Sequence, residues 1–423
     1  MNRALAEEIV GCLRKSDPSG VHVARLRAFD RCDWERTLYW LHRSGLALYF
    51  AGRLSELNAE DAVPAEIVTG LQQNRRDNED RGASMMKELA HIDHAFKEKR
   101  VRYVVEKGLS LVPDYCPNPS LRHQCDFDFL IDMHCQDMAV EALEGIGYVL
   151  SAFSRSSEPS ELRFWRRLTE TPPSAERFYD AFDCFMVELH FSICEVTEIC
   201  EKTFGAELED IREQSWDGLC FPALPETDAF LLQLLHCFKH VVIPSLKLSW
   251  LFEIAYFLRQ RTSGDVLWRL ARERIREQPR ASQACGVVLS LVHDVFGAQI
   301  APELSSWTID TLSPAASLWV KRYGRDLAFA DFREQGLFPK SKLSLLLWAE
   351  FMPDTELRWS KLQRMLFPAR GGWSLARGTH PLVQEFRINR WRHFLHRLKF
   401  HIGASLRYFW ELPRWKSALR RLG

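Results

Sequence analysis

Several features that would assign a chain to a class at once are missing from this 423-residue sequence. No segment of about 18 apolar residues is free of charge, which argues against a membrane-spanning helix. No Gly-x-x-x-x-Gly-Lys-Ser/Thr loop is present, and the glycines of EGIG (residues 144–147) follow a predicted helix rather than a strand, unlike a dinucleotide-binding fingerprint. The opening MNRALAEEIV lacks the apolar run of a signal peptide. We therefore expect a cytoplasmic location.

Cysteine and histidine pairs with a convincing metal-site pattern are also missing. The eleven cysteines are an odd number and include no Cys-x-x-Cys pair, which fits free thiols in a reducing compartment better than a disulfide framework. His236 and His240 have metal-ligand spacing, but HCFKH lacks the glutamate of a His-Glu-x-x-His site. A structural role on a buried helix is the favoured interpretation of both histidines.

Neither positive nor negative charge is in excess over the whole chain, because the formal net charge is zero. It is unevenly distributed, however. From Met365 to the carboxyl terminus there are twelve Lys and Arg residues against two Asp and Glu residues, a balance of +10. Such asymmetry suggests an anionic partner for the tail.

The hydrophobic period predicts an α+β chain with four regions. Residues 1–98 have apolar residues at helical spacing, and residues 99–200 contain several strand patterns. The predicted strands lie near 99–106, 125–131, 148–153 and 184–193, with a long loop or hairpin at 154–174. From about residue 205 the pattern is helical again, so we expect a helical domain at 201–364 and a basic amphipathic tail at 365–423. A small mixed sheet embedded in helices is thus expected.

Asp126 and Asp128 stand one residue apart inside the strand-like segment RHQCDFDFLID (residues 122–132). Apolar residues alternate with them, so both carboxylates should project from the same face, roughly 7 Å apart. Buried like charges repel each other unless a cation lies between them, and oxygen-ligated Mg²⁺ is the usual cation for such a pair. A half-exposed strand with a solvated outer face shows the same alternation.

Residues at the end of the first predicted strand suit phosphate binding. Gly108 would let the backbone approach a phosphate closely, and Lys107 would supply a positive charge, with Ser110 two residues on. An ordinary strand-to-helix turn would look the same. Arg122, four residues before Asp126, could pair with phosphate or with the carboxylates.

Glu188 adds a third carboxylate if its strand neighbours the aspartate strand. In VELHF, Glu188 and His190 share one face, and the apolar residues share the other. Three carboxylates on one sheet surface repel each other, which favours a bound metal.

Several segments together resemble the uncharacterised nucleotidyltransferase family of the polymerase-β-like superfamily. They are VVEKGLSL, DYCPNPSLRHQCDFDFLI, VELHFSI and LLQLLHCFKHVVIPSLKLSWLFEIAYFL. The matching positions in chain order are Lys107-Gly108, Tyr115 with Pro117, Arg122, Asp126-x-Asp128, Leu189-His190, and His236 with Lys239-His240. The resemblance covers roughly residues 30–370.

The sequence departs from the family pattern at four places. Cys116 separates Tyr115 from Pro117, and Gln124-Cys125 stands where a small or acidic residue often precedes the aspartates. Glu253 occupies a position where aspartate is expected. The superfamily's Gly-Ser signature is replaced by Gly108-Leu109-Ser110.

The resemblance implies a small mixed β-sheet nucleotidyltransferase core embedded in mostly α-helical regions. It implies transfer of a nucleoside monophosphate from NTP to an unidentified acceptor (a sugar, lipid, peptide or protein), with Mg²⁺ as cofactor. The implied catalytic and metal-binding residues are Asp126, Asp128 and Glu188. The implied nucleotide-binding residues are Lys107, Gly108, Ser110, Arg122 and His190, although His190 could equally be a core histidine.

An alternative of another class is a non-catalytic scaffold with this fold. It would dock an anionic surface or a protein partner through the basic tail. The presence of all three carboxylates argues against this alternative, because a decayed site would be expected to have lost one.

The tail itself predicts a basic amphipathic helix. Its apolar residues recur every three or four positions: Ile388, Trp391, Leu395, Leu398, Ile402, Leu406 and Phe409. Such a helix can lie on an anionic membrane, which would place the protein peripherally at the inner membrane face. Packing of the helix on the domain, with a solvated basic face, explains the pattern as well, and contact with a protein or nucleic acid is a third option. Specific nucleic-acid binding is not expected, because no known module is present.

Overall fold

The computed structural model describes most of the chain. The described residues are 1–14, 20–151, 161–168, 178–179, 184–192, 199–200, 208, 210–243, 245–261, 263–330, 342–352, 355–366 and 390–422. All structural statements below concern these residues.

The amino-terminal region is helical, as its apolar spacing predicts. Its helices are α1 (Arg3–Cys12), α2 (Val21–Leu26), α3 (Arg31–Arg43), α4 (Ala47–Glu56) and α5 (Ala65–Glu98). Side-chain caps mark two of the starts, because Asn2 accepts a hydrogen bond from the Leu5 amide and Asp30 accepts one from the Asp33 amide. The last helix, α5, is the longest of these and continues to the first strand.

Seven strands form one mixed sheet. They are β1 (Tyr103–Val105), β2 (Phe127–Ile131), β3 (Val149–Leu150), β4 (Glu161–Arg167), β5 (Cys184–His190), β6 (Arg212–Trp216) and β7 (Leu219–Ala223), with the α-helix α6 (Gln136–Gly145) between β2 and β3. The order across the sheet is β3-β4-β5-β2-β1-β7-β6. Strand β2 is therefore central, antiparallel to β1 and parallel to β5.

The two faces of the sheet meet different surroundings. On one face, Met85, Leu89 and Phe96 of α5 pack with Phe129 and other strand side chains in a separate apolar core. On the other face, Val104 and Leu130 belong to the larger core that the helical regions form. Polar residues of β2 and β5 on this second face consequently look toward the helices rather than toward open solvent.

Two strands lie where the sequence predicts helix. Strands β6 and β7 form a hairpin at 212–223, and β7 joins β1 through the pair Val105 and Ala223. The expectation of a purely helical pattern from about residue 205 is wrong for these residues, because short half-exposed strands give a weak periodic signal. Strand β4, within the predicted loop or hairpin, pairs antiparallel with β3 and β5. The division of the chain into four regions stays a prediction.

Helices dominate again after β7. They are α7 (Glu226–Val242), α8 (Leu248–Arg259), α9 (Val266–Ile275), α10 (Pro279–Phe296), α11 (Pro302–Ser305), α12 (Pro314–Trp319), α13 (Arg325–Ala328), α14 (Ser344–Phe351), α15 (Thr355–Leu366) and α16 (Arg390–Arg420). Twelve of the seventeen residues of α7 are buried, which confirms that the helix carrying His236 and His240 is a buried one. The mixed α+β architecture with flanking helices is confirmed.

Cysteine chemistry differs from expectation at one place. Nine cysteines of the described part are free, in agreement with the absence of a disulfide framework. Cys200, however, is disulfide-bonded. Among the described helices, none is long and apolar enough to cross a membrane.

Candidate active site

A row of charged side chains crosses the helix-facing side of the sheet. Asp128 of β2 is directly opposite Glu188 of β5, and Glu188 is directly opposite Arg163 of β4. On the other side of β2, the amide of Glu106 donates to the Asp128 carbonyl over 3.1 Å, which continues the β1–β2 ladder. Side chains of directly paired residues project from the same face. Pairing alone therefore places Arg163, Glu188, Asp128 and Glu106 side by side, and we call these four residues the acidic row.

Asp128, Glu188 and His190 form a cluster with metal-ligand geometry. Each offers one ligand atom, and these atoms all lie within 4.8 Å of one another. His190 follows Glu188 by two residues on the same strand, so the two side chains share a face. The Glu188 strand does neighbour the aspartate strand, which is the condition under which Glu188 adds a third carboxylate.

Positive groups partly compensate the carboxylates. Lys107 Nζ lies 3.4 Å from Asp128 Oδ1, and His190 Nε2 lies 3.2 Å from the same oxygen. Arg163 Nε lies 2.9 Å from Glu188 Oε1. His190 Nε2 also lies 3.7 Å from Glu188 Oε2 and 3.9 Å from Glu106 Oε2. The histidine is thus surrounded by carboxylates, which stabilise its protonated form.

The pKa values follow from this arrangement. Burial alone would raise the pKa of Asp128, but Lys107 and the hydrogen bond from His190 hold it below its usual range. Burial and the charge of Asp128 raise the pKa of Glu188, an effect that Arg163 only partly offsets. Burial would lower the pKa of His190, but the neighbouring carboxylates Glu106 and Asp128 raise it to about 9. Asp128 is therefore the ionised centre, and Glu188 holds its proton more readily than a free glutamate.

Asp126 lies just before β2 and has a different environment from Asp128. It is not a member of the cluster that Asp128, Glu188 and His190 form. Burial and the nearby charge of Asp128 raise the pKa of Asp126, while Lys247 and Lys107 act in the opposite direction. The negative charge of Asp128 thus disfavours ionisation of Asp126, as expected for two carboxylates one residue apart in the chain.

The turn after β1 depends on Gly108. Its φ is +70°, and a Cβ atom there would lie 2.2 Å from Gln124 Nε2. Gln124 in turn donates to the Asp126 carbonyl over 3.0 Å. Ser110 is buried, and its hydroxyl donates to the Lys107 carbonyl over 3.3 Å, which closes the turn. The glycine is required for close approach of the backbone segment that carries Asp126.

Arg122 has a carboxylate partner that its position in sequence does not suggest. Its Nε donates to Glu253 Oε1 of α8 over 3.1 Å, and Tyr49 donates to the same oxygen over 2.8 Å. Both charged side chains are largely buried. The side-chain partner of Arg122 is thus Glu253 rather than Asp126 or Asp128, and phosphate binding by Arg122 stays a prediction. The arginine instead ties the loop before β2 to the helical region.

Aromatic and basic side chains from α7 and the start of α8 lie near the carboxylates. We call them the wall: His236, His240, Lys247 and Trp250. The rings of His236 and His240 lie 4.6 Å apart, and each is within 4.8 Å of the Trp250 ring. Lys247 Nζ lies 5.3 Å from the centre of that ring. The charge of His236 lowers the pKa of Asp128 and that of Lys247 lowers the pKa of Asp126, so the wall lies within electrostatic range of the two aspartates. Among the described residues, neither histidine belongs to a candidate metal cluster.

Sequence reasoning missed Glu106 and Arg163. Glu106 directly precedes Lys107 in VVEKG, and strand alternation could have placed it on the face of Asp128 once β1 was known to pair with β2. Arg163 gave no signal, because its segment was not predicted to be a strand of this sheet. The structure brings together Lys107, Asp128, Glu188 and His190, with Asp126 beside them, and leaves the Arg122 and Ser110 side chains in other contacts.

Comparison with known proteins assigns the chain to a family. A family model described as an uncharacterised nucleotidyltransferase matches residues 30–297, more than half of the chain. The matched part contains every residue of the acidic row and of the wall. No protein of curated function and no solved structure has significant similarity to the chain.

Proposed function

The chain belongs to the uncharacterised nucleotidyltransferase family, and on this premise we propose that it transfers a nucleoside monophosphate from an NTP to an acceptor hydroxyl. The P–O bond between the α-phosphate and the leaving pyrophosphate breaks, and a P–O bond to the acceptor oxygen forms. The acceptor proton passes to the protein. The observation that supports the proposal most directly is the pairing of Asp128 with Glu188 across β2 and β5.

The residues present fit a divalent cation. Asp128 and Glu188 offer carboxylate oxygens within 4.8 Å of each other. Asp126 is a third carboxylate, close enough for its charge to raise the pKa of Glu188. Oxygen ligands of this kind suit Mg²⁺. Bound there, Mg²⁺ would offset phosphate charge and make the acceptor oxygen a better nucleophile. Asp126, Asp128 and Glu188 would hold it, and His190 would orient Asp128 through the 3.2 Å hydrogen bond.

Glu188 is the group best placed to accept the acceptor's proton. Burial and Asp128 raise its pKa toward neutrality, and a general base works best when its pKa is near the working pH. Arg163 holds its Oε1 at 2.9 Å, and His190 Nε2 lies 3.7 Å from its Oε2. Oε2 is therefore the oxygen that would either ligate Mg²⁺ or take the proton.

Positive side chains would bind the triphosphate. Lys107 lies next to the acidic row at the end of β1. Lys247 and His236 of the wall lie on the helical side of the two aspartates. Charge-assisted hydrogen bonds from such groups stabilise phosphate oxygens. Gly108 would allow the backbone close approach to the phosphates. A cytoplasmic location, where NTP is available, is part of the proposal.

Two measurements on the full-length protein test this proposal. The first is a thermal-shift titration with Mg²⁺ and each NTP. The second is transfer of label from α-phosphate-labelled NTP into cell extract. We expect Mg²⁺-dependent stabilisation by at least one NTP, label transfer by the wild type, and its loss in Asp128→Asn.

Asp132→Asn is the matched control. Asp132 is a similarly buried aspartate just after β2, and its partner is Arg102, 3.2 Å away and outside the acidic row. This variant should keep transfer. No label transfer from any NTP, together with no stabilisation by NTP and Mg²⁺, would favour the non-catalytic scaffold instead.

A further inference from the structure

The carboxyl-terminal helix α16 is fixed to the body through one face. Lys342 donates to Ser405 Oγ over 3.0 Å and to the Leu366 carbonyl over 2.8 Å. Glu411 accepts from Arg322 over 2.9 Å and from the Tyr323 hydroxyl over 3.1 Å. These contacts set the rotation of the helix about its axis.

Apolar side chains of the same helix complete the packed face. Ala404, Tyr408 and Trp415 are buried, and the Trp415 ring lies 6.0 Å from that of Tyr323. At about 100° per residue, these positions occupy one side of the helix, together with Leu412 and Leu419. The helix therefore already has a buried apolar side.

A second set of large apolar residues does face outward. Its members recur at three- and four-residue spacing and are between 44% and 67% exposed: Leu398, Ile402, Leu406, Phe409 and Trp410. We call them the outer face. Four of them belong to the apolar series noted in the sequence, so that series does not form the packed side of the helix. Clusters of exposed large apolar residues mark interaction sites more often than single ones do.

The charge around the outer face has one sign. Lys399, Arg407, Arg414, Lys416 and Arg420 are exposed on the same helix. The one carboxylate of the helix, Glu411, is bound to Arg322 and Tyr323 on the packed side, and its other oxygen pairs with Arg414 at 3.1 Å. Arg414 also lies over the Trp410 ring at 4.7 Å. An occupant must accept bulky apolar side chains and positive charge at the same time.

We propose that the outer face of α16 binds the surface of an anionic lipid bilayer. Leucine, isoleucine and phenylalanine side chains can enter the boundary between headgroups and acyl chains. Tryptophan prefers the headgroup level, and long basic side chains reach the lipid phosphates while their stems stay in the apolar layer. One exposed helix face therefore carries side chains suited to the acyl-chain boundary, to the headgroups and to the lipid phosphates. The helix would lie along the membrane while its packed face keeps it attached to the body.

Co-sedimentation of the full-length protein with vesicles tests the proposal. Vesicles of phosphatidylserine mixed with phosphatidylcholine are compared with phosphatidylcholine alone, at low and at high salt. We expect binding to the anionic vesicles at low salt and much weaker binding in the other conditions, because salt screens the basic residues. Trp410→Glu should lower partition by about tenfold or more, since it removes an interfacial ring and adds a negative charge.

Trp359→Glu is the matched control. Trp359 of α15 is 66% exposed and Trp410 is 67% exposed, so the same substitution is made at equal exposure on another helix. The control should bind like the wild type. The pair Lys416→Gln and Arg420→Gln provides a second variant that leaves the apolar residues intact, and each lost charge should reduce binding by about fivefold at low salt.

Three results would overturn the proposal. One is wild-type protein that does not sediment with anionic vesicles at low salt. Another is equal binding by Trp410→Glu and wild type. The third is a wild-type dimer that Trp410→Glu converts to a monomer, which would assign the outer face to a second copy of the chain. The measurement uses no nucleotide, so its outcome is independent of the transferase proposal.

Discussion

At the scale of single residues, ionisation of the two aspartates of the Asp-x-Asp pair has different effects on the stability of the fold. Asp128 is compensated by Lys107 at 3.4 Å and by His190 at 3.2 Å, and its pKa lies below the usual range. Asp126 is buried beside Asp128, and its pKa is raised. Ionisation at neutral pH therefore destabilises the folded protein at Asp126 and stabilises it at Asp128.

Substitution by asparagine should thus shift stability in opposite directions without divalent metal. Asp126→Asn should raise the free energy of unfolding by roughly 1 kcal/mol at neutral pH, because it removes a poorly compensated buried charge. Asp128→Asn should lower it by about 1–3 kcal/mol, because Lys107 and His190 lose their charged partner. Urea denaturation in the presence of a metal chelator measures the free energy of unfolding of both variants. Asp326→Asn, at an exposed aspartate, is the control. Equal shifts of the same sign would contradict the assignment.

Glu188 is predicted to act in the chemical step rather than in nucleotide binding. Glu188→Gln keeps the size of the side chain but removes the proton acceptor, so the rate should fall at least about 100-fold. NTP binding should persist, because Asp128 and the basic side chains remain. Single-turnover kinetics and equilibrium nucleotide binding on one preparation check this. A variant that loses binding and unfolds would identify Glu188 as structural.

At the scale of elements, the turn after β1 fixes the start of β2. Gly108 adopts a positive φ, and its missing side chain gives room to Gln124, which holds the Asp126 carbonyl. The helical wall of α7 and α8 approaches the same region through Lys247 and His236. The site is therefore formed by one short turn, two parallel strands and the facing helices.

Gly108→Ala should disturb this arrangement more than backbone strain alone explains. The added Cβ would lie 2.2 Å from Gln124 Nε2 in addition to requiring a positive φ. Gly264 provides the control, because its φ is +83° and no atom lies within 4 Å of an added Cβ. We expect Gly264→Ala to cost about 1 kcal/mol of stability and leave transfer intact, and Gly108→Ala to cost more and reduce transfer.

A double variant separates the two contributions. Gly108→Ala combined with Gln124→Ala removes the clash but keeps the strained φ. Transfer should not recover fully, because the Asp126 carbonyl also loses its donor. If Gly108→Ala alone has the same stability and activity as Gly264→Ala, the close approach of Gly108 to Gln124 does not contribute to function.

At the scale of the whole molecule, buried polar contacts join regions that are distant in sequence. Arg122 and Glu253 are 131 positions apart and form a buried ion pair between the loop before β2 and α8. His42 of α3 donates to or accepts from the Tyr179 hydroxyl at 3.1 Å, and its ring stacks on Phe178 at 6.1 Å. The amino-terminal helices are thereby attached to the segment before β5.

Acid should weaken this attachment in a defined pH window. Burial, with a contribution from His123, lowers the pKa of His42 to about 4 from 6.5. The unfolded chain therefore binds more protons than the folded protein between these values, so stability is complete above about pH 6.5 and falls as the pH drops toward about 4. The loss at His42 is at most about 3 kcal/mol.

Urea denaturation at neutral pH and near pH 4.5 measures this dependence. His42→Phe, which stays uncharged, should lose less stability on acidification than the wild type. His94→Phe changes a histidine whose side chain is 72% exposed and should leave the dependence unchanged. An unaltered pH dependence in His42→Phe would show that His42 is not the group responsible.

The sequence by itself determined the α+β class, the strand that carries Asp126 and Asp128, and the strand that carries Glu188 and His190. Local periodicity suffices there, because alternation fixes which side chains share a face. The structure alone decided that β5 lies beside β2 with Asp128 opposite Glu188, and that Glu106 and Arg163 extend the row. It also decided the partner of Arg122 and the outward direction of Leu406 on α16. Strand order, register and the rotation of a packed helix depend on contacts between residues far apart in the chain, which no local pattern encodes.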